Sequence, residues 1–176
     1  MERPVSAFWK NSAMENRIEK ISVIGLGYVG LPTAAIIASH GIKVLGIDTN
    51  PVVVSSIMDG KTPLVEPGLD KLVKSGVASG KLQADTKPGP ADVFIISVPT
   101  PFKNGKVPDL SFLTNAVKTL APVISMGNQV IIESTSPIGT TEKMRDHLAS
   151  IRPDLRMPGI TQDPDINISH SPERIL

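Results

Sequence analysis

The 176-residue sequence contains no cysteine, which excludes disulfides, thiolate metal sites and a cysteine nucleophile within it. It has no excess of either charge. Lys and Arg number 18 against 17 Asp and Glu, a net charge of +1, so there is no electrostatic footprint for nucleic acid or an anionic membrane. No apolar run approaches the roughly 20 residues of a membrane span, and Met1 to Lys20 lacks the long apolar core of a signal peptide. A cytoplasmic location is expected. His40, His147 and His170 share no metal-ligand spacing, so no metal is expected, and no Ser/His/Asp arrangement is visible. Repeats and low-complexity tracts are missing as well.

What remains is an ordinary globular composition, 40% hydrophobic. A chain of this length can bury about 70% of its unfolded surface without staples. Residues 1–17 read as an extension, because Pro4, Ser6, Asn11 and Ser12 break any periodicity; Phe8 and Trp9 are expected to tuck against the surface, and Met14 is an alternative start. Residues 18–176 read as one domain.

The densest signal lies between Ile21 and Asp48. An apolar strand over Ile21, Val23 and Ile24 runs into Gly25-Leu26-Gly27-Tyr28-Val29-Gly30. Pro32 suits the first turn of a helix, and Ala34, Ala35, Ile36, Ile37 and Ala38 give that helix a small apolar face. Gly41 ends it, and Val44 to Ile47 form a second strand with Asp48 at its C-terminal end. This is the order of a dinucleotide-binding βαβ unit. Gly25 allows the tight turn, Gly27 lets backbone approach a pyrophosphate, and Gly30 lets helix and strand pack together. The ligand is expected to be an anion held by backbone N–H groups and the helix dipole. Asp48 can accept both hydroxyls of an adenosine ribose and repel a 2′-phosphate, which points to NAD over NADP; it can also cap the helix starting near Asn50 and Pro51.

Strands and helices alternate through the rest of the chain. A second helix covers Val52 to Met58 and closes at Gly60, and Glu66-Pro67-Gly68-Leu69 opens a third over Asp70 to Val77. Leu82 to Asp85 reads as a short strand, and Ala91 to Val98 as the central strand. Pro99-Thr100-Pro101 stops that strand, and a loop through Lys103, Asn104 and Gly105 leads to Asp109. Asp109 is the expected N-cap of a helix from Leu110 to about Ile124, with Leu113, Ala116, Val117 and Leu120 on one face. Gln129 to Glu133 is a buried strand, Thr140 to Ile151 a helix, and Ile166 to Ser169 the last strand. Right-handed crossovers then predict an α/β fold, a Rossmann-type doubly wound parallel sheet ordered 3-2-1-4-5-6 with helices on both faces. Gly25 to Gly30, Asp48, Pro99 to Pro101, Ser134 to Pro137 and Ser171 to Arg174 all fall at strand C-termini and are expected to converge on one crevice.

Five motifs occur in one order: Gly25 to Pro32, Glu66-Pro67-Gly68-Leu69, Val98-Pro99-Thr100-Pro101-Phe102, Glu133 to Thr141, and Ser171-Pro172-Glu173-Arg174. The series, from about Ile18 to Leu176, resembles the N-terminal half of the UDP-glucose/GDP-mannose dehydrogenase family. The SVPTPF and ESTSPIGTTEKM versions are most similar to members acting on UDP-N-acetyl-D-mannosamine, while the residues alone leave the sugar open between N-acetylmannosamine, glucose and another hexosamine. The resemblance implies oxidation of a sugar-nucleotide primary alcohol to a carboxylate with two NAD and one water. It also implies that Tyr28, Val29 and Asp48 contact the adenosine half of NAD and that Thr100, Thr135 and Thr141 line its ribose and nicotinamide side. Read from the residues alone, any of these threonines is as well explained as a turn cap. By the same resemblance Glu173 activates water for thioester hydrolysis, and Arg174 with Ile175 begins the sugar-nucleotide contact segment.

The sequence departs from the family pattern in three places. Many relatives carry an Arg a few residues after the acid, where this chain has Pro51-Val52-Val53. Close relatives read Tyr-Cys before Pro-Glu-Arg, where this chain has His170-Ser171. The family's catalytic Lys, Asn, Cys and Asp all fall in the connecting helix and substrate-binding half, beyond Leu176. The expectation is therefore an NAD-binding domain that binds NAD without turning it over alone, in a protein that dimerises through the other half. A β-hydroxyacid dehydrogenase of the 6-phosphogluconate type shares the opening GLGxMG pattern, but the VPTPF and ESTSPIGTT segments argue against it. The alternative from another class is a stand-alone NAD-binding regulatory or assembly module.

Overall fold

The computed structural model describes residues 18–103, 105 and 107–173. Five strands and four helices follow the expected alternation: β1 Lys20–Ile24, α1 Gly30–Ser39, β2 Lys43–Ile47, α2 Pro51–Met58, α3 Leu69–Ala78, β3 Leu82–Asp85, β4 Val93–Ile96, α4 Ser111–Leu120 and, after a short hairpin before α4, β7 Gln129–Ile132. The hairpin strands are β5 Phe102–Lys103 and β6 Val107–Pro108, and the chain continues with α5 Thr140–Ile151 and β8 Asn167–His170. The main sheet runs β3-β2-β1-β4-β7-β8, every neighbouring pair parallel. With the hairpin set aside, this is the expected 3-2-1-4-5-6 order, reversing between β1 and β4.

Both faces of the sheet are covered, and the strand residues divide between them with a period of two. Val23, Val93 and Ile95 pack with Leu31, Ala34, Ala35 and Val73 on the α1 and α3 side. Ile24, Phe94 and Ile96 pack with Leu113, Val117, Leu120 and Leu148 on the α4 and α5 side. The four residues of β4 are buried for this reason. Ala34, Ala35 and Ala38 are also buried, which brings α1 close to the sheet, whereas Ile36 lies half exposed on the opposite side and does not join that face.

Several boundaries differ from the sequence reading, and at the central strand and the helix ends the cause is a polar side chain. The central strand is confined to Val93–Ile96 because Asp92 and Ser97 flank it with other work. The Asp92 carboxylate accepts the amides of Glu19 and Lys20 at 2.8 and 2.9 Å and pins the start of β1. Asn50, and not Asp48, caps α2, its side chain accepting the Val52 amide at 3.0 Å. Leu110 takes the N-cap position of α4, although Asp109 still accepts the Ser111 amide at 2.9 Å. That helix ends at Leu120 and passes into a 3₁₀ turn, Ala121–Val123, whose carbonyls find a donor in Arg152: its guanidinium reaches the Ala121 and Ile124 oxygens at 2.6 and 2.7 Å. The expected loop before Asp109 is the β5–β6 hairpin, antiparallel with Phe102 opposite Pro108. The last strand lies one residue later than read. The extension over residues 1–17, with Phe8, Trp9 and Met14, lies outside the described residues.

The approach to β8 is held by an ion pair. Asp165, buried, accepts Nε and Nη2 of Arg156 at 2.9 and 2.6 Å on one oxygen and the Arg156 amide at 2.8 Å on the other. The guanidinium and the amide hold its carboxyl below the usual carboxylate range. A carboxyl depressed in the folded state stabilises fully above its unfolded value of about 3.9, and that stabilisation is lost as pH falls through the lower folded value. Asp165→Asn is therefore expected to lower stability at neutral pH and to flatten the acid limb of the curve below about pH 4, measured as the denaturation midpoint against pH.

Gly30 gives a second expectation. A Cβ at this position would lie 1.8 Å from the Gly25 carbonyl oxygen and 3.1 Å from the Ser97 side chain. Backbone must move to admit it. Gly30→Ala should cost about 3 kcal/mol, at the upper end for overpacking, and lower the melting temperature by roughly 6–12 °C for a domain of this size.

Candidate functional site

A cleft of about 1020 Å³ opens beyond the C-terminal ends of the strands. All five segments singled out in the sequence contribute to it, through Gly25, Gly27, Tyr28 and Val29, Asp48, Pro99 and Thr100, Ser134 and Thr135, and Glu173. Its position follows from topology: between β1 and β4 the connections depart in opposite directions, so the loops after these strands diverge and leave a crevice.

The glycine turn is fixed from both sides. The Gly25 amide donates to the Ile47 carbonyl at 2.8 Å, and its φ of +92° suits a residue without Cβ. A Cβ there would also meet the Ser97 carbonyl at 2.6 Å. Leu26 is buried against Gly46, where a Cβ would come within 2.7 Å of the Leu26 methyl. Asp48 closes the turn: one carboxylate oxygen accepts the Leu26 amide at 3.0 Å and the other the Asn50 amide at 2.9 Å. Each oxygen keeps lone pairs for further donors.

Gly27 is different. A Cβ there would meet nothing within 4 Å, so no protein atom requires glycine at this position. Among the described residues no carbonyl or side chain takes the amides of Gly27, Tyr28 and Val29, which lead into the N-terminus of α1. Open space in front of free amides at a helix N-terminus is a cradle for an anion, and the pyrophosphate of NAD fits it.

On the other side of the cleft the threonines are tied to backbone. Thr100 Oγ1 donates to the Thr135 carbonyl at 2.6 Å, and Thr135 Oγ1 to the Glu173 carbonyl at 3.4 Å. Ser134 Oγ donates to the Val98 carbonyl at 2.7 Å. The Glu173 amide donates to the Glu133 carbonyl at 3.3 Å, so the segment after β8 is laid across the end of β7 with its side chain at the cleft mouth. Thr141 stands apart: it sits in the first turn of α5 and does not line the cleft. Gly30 is likewise absent from the lining, its role being the packing described above. Arg174 and Ile175 lie outside the described residues. His40 ends α1, His147 lies on α5, and His170 Nε2 is 3.3 Å from the Ser134 carbonyl.

Sequence reading missed several lining residues, Thr49 and Thr86 among them, and two groups matter most. The first is Ser97 and Glu133, at the ends of β4 and β7. The Glu133 carboxylate accepts Thr33 Oγ1 of α1 at 3.3 Å and the Ser97 hydroxyl, and both lining residues follow directly on apolar strand runs, a position where polar groups meet ligands. The second is Phe112, Asn115 and Thr119, spaced i, i+3, i+7 on α4 beside Ala116 of the expected apolar face. Only the neighbouring apolar stripe was read from that helix. Asp48, Glu133 and Glu173 are the charged side chains among the described lining residues, and no Lys, Arg or His joins them. Among the described lining residues, backbone N–H groups and the helix dipole are therefore what can offset a phosphate's charge.

Gly27 and Gly30 should separate binding from folding. Gly27→Val is expected to leave the melting temperature near that of the parent while abolishing NAD binding in calorimetry, because its side chain fills space that only a ligand uses. Normal NAD affinity in this variant would place the phosphates elsewhere.

Comparison with known proteins agrees with this geometry. The chain is 54% identical over 159 residues to the UDP-N-acetyl-D-mannosamine dehydrogenase of Yersinia pestis, covering 90% of this chain and 38% of the relative. It is 47% identical over 165 residues to an NDP-N-acetyl-D-galactosaminuronic acid dehydrogenase of Ralstonia nicotianae, covering 93% and 39%. A solved UDP-N-acetyl-mannosamine dehydrogenase from Staphylococcus aureus superposes with a TM-score of 0.80 at 36% identity, over 89% of this chain and 37% of that one. The chain thus spans about two fifths of the curated relatives it matches. The family model for the NAD binding domain of the UDP-glucose/GDP-mannose dehydrogenases matches residues 19–176, and the chain belongs to that family.

Proposed function

We propose that residues 18–176 form the NAD-binding domain of a dehydrogenase that oxidises UDP-N-acetyl-D-mannosamine to the corresponding uronic acid, using two NAD and one water. The observation that carries this reading is a cleft at the switch point whose phosphate end is bare backbone and whose charged side chains are carboxylates. The 54% identity to the Yersinia pestis relative and the SVPTPF and ESTSPIGTTEKM segments favour N-acetylmannosamine over other sugars. A cytoplasmic location, a part in polysaccharide biosynthesis and a homodimer formed through sequence beyond Leu176 belong to the same proposal and rest on family resemblance.

Bound NAD supplies the hydride acceptor, and this chain's residues hold it. Free amides from Gly27 to Val29 and the dipole of α1 face the pyrophosphate. Asp48 takes the adenosine ribose hydroxyls, with Tyr28 and Val29 beside it. Thr100 and Thr135, whose protons are committed to carbonyls, offer lone pairs to the hydroxyls of the second ribose; Thr141 is assigned to this side by family pattern alone. Glu173, exposed at the mouth, is a carboxylate placed to take a proton from water in the hydrolytic step. Arg174 and Ile175 are assigned to the sugar nucleotide.

Two measurements test the proposal. NAD should bind more tightly than NADP, because a 2′-phosphate would face the Asp48 carboxylate. Asp48→Ala should weaken NAD by about 1–3 kcal/mol through lost ribose hydrogen bonds and narrow the gap to NADP. Equal affinity of the parent for both dinucleotides would remove this role from Asp48. In a spectrophotometric assay, the chain with NAD and UDP-N-acetyl-D-mannosamine should form no NADH, since the first hydride transfer needs a substrate held over the nicotinamide, for which this chain supplies only one wall, and the second needs a thiolate to trap the aldehyde. Adding the cysteine-bearing portion of a relative tests for restored turnover, and sustained NADH formation by the chain alone would refute the assignment.

A further inference from the structure

The cleft asks for a negatively charged ligand yet is lined by negative side chains. NAD carries a net charge of −1, from two phosphates and a cationic nicotinamide ring, whereas NADH carries −2 because hydride transfer neutralises the ring. A carboxylate near the ring therefore distinguishes the two redox states, and one near the adenosine does so only weakly.

Among the lining carboxylates, the structure places Asp48 at the end of β2, on one side of the switch point, and Glu133 at the end of β7, on the other. If the adenosine ribose lies at Asp48, a dinucleotide spanning the crevice extends its nicotinamide half over β4 and β7. Glu133 is half-buried and held in place: Thr33 of α1 donates to one carboxylate oxygen and the Ser97 hydroxyl to the other. Both donors are neutral, so they orient the carboxylate without cancelling its charge. The described cleft lining holds no cation that would do so. Glu173 is also on this side but exposed, where water screens it.

We propose that Glu133 determines redox-state specificity, stabilising bound NAD relative to NADH. This deepens the proposed function and rests on its placement of the dinucleotide. Its consequence lies in the stoichiometry of that reaction. Two NAD are used per sugar, so NADH must leave and a second NAD enter between the two oxidations, and a carboxylate facing the nicotinamide side weakens the reduced form once the ring loses its charge.

The test uses the 176-residue chain, with Kd for NADH and for NAD measured by titration calorimetry on the parent, Glu133→Gln and Glu133→Asp. Gln removes the charge while keeping one acceptor oxygen for one of the two hydroxyls and presenting an NH2 donor to the other, which can rotate to accept it; Asp keeps the charge. The parent should prefer NAD. Glu133→Gln should reduce the ratio Kd(NADH)/Kd(NAD) by about three- to tenfold, the size expected for one charge across a partly solvated cleft. Glu133→Asp should retain most of the parent ratio. A merely structural role would weaken both forms alike, so an unchanged ratio in Glu133→Gln, or an equal loss of ratio in Glu133→Asp, overturns the inference while leaving dinucleotide binding intact. A parent that binds neither form overturns the underlying reading as well.

Discussion

The contact between the start of α1 and the glycine turn, too close to admit a Cβ at Gly30, is the constraint on which the cleft depends. It sets the first turn of the helix against the end of β1 and beside Ser97, just past β4. From that placement follow the aim of the helix dipole, the exposure of the Gly27 to Val29 amides and the proximity of Thr33 to Glu133. Buried Ala34, Ala35 and Ala38 continue the same close approach along the helix, where larger side chains would lift it from the sheet.

Charge is distributed around this turn in an instructive way. The phosphate end carries no cation among the described residues, so anion binding falls to backbone groups that cannot be repositioned by rotamer changes. The carboxylates serve as braces, and in the proposed reading they also face the ligand. Asp48 holds two amides and so ties the turn after β1 to the residues after β2, while Glu133 ties α1 to β4. A group that both supports the turn and faces the ligand makes binding sensitive to the geometry of the support.

The sheet order, the helix positions and the five converging segments were legible in the sequence because each has a local cause. Apolar runs covered on both faces give strands, and glycine, proline and asparagine mark their ends. The helix caps were misplaced by one or two residues through local side-chain bonds, and the larger errors arose where a polar side chain works at long range. Asp92 reaches back to Glu19 and Lys20, and Arg152 crosses to the carbonyls after α4; no local pattern shows either. The site was legible where a motif repeats in a known order. Glu133 stood inside such a motif, but its bond to Thr33 spans 100 positions and needed the fold to be seen. On α4, the apolar stripe of Leu113 and Val117 hid the neighbouring stripe of Asn115 and Thr119, which has the same period.

β8 lies at the edge of the main sheet, paired only with β7, and its residues are at most half-buried. Edge strands with little buried surface occupy the low end of the local-stability scale and open without the rest of the molecule. Glu173 rides at the end of this strand, and the Arg156–Asp165 pair guards the segment leading into it. The domain thus divides into a frame from β1 to β7 that carries the cleft and an edge margin whose opening would withdraw Glu173, the carboxylate proposed to activate water, while leaving the glycine turn in place.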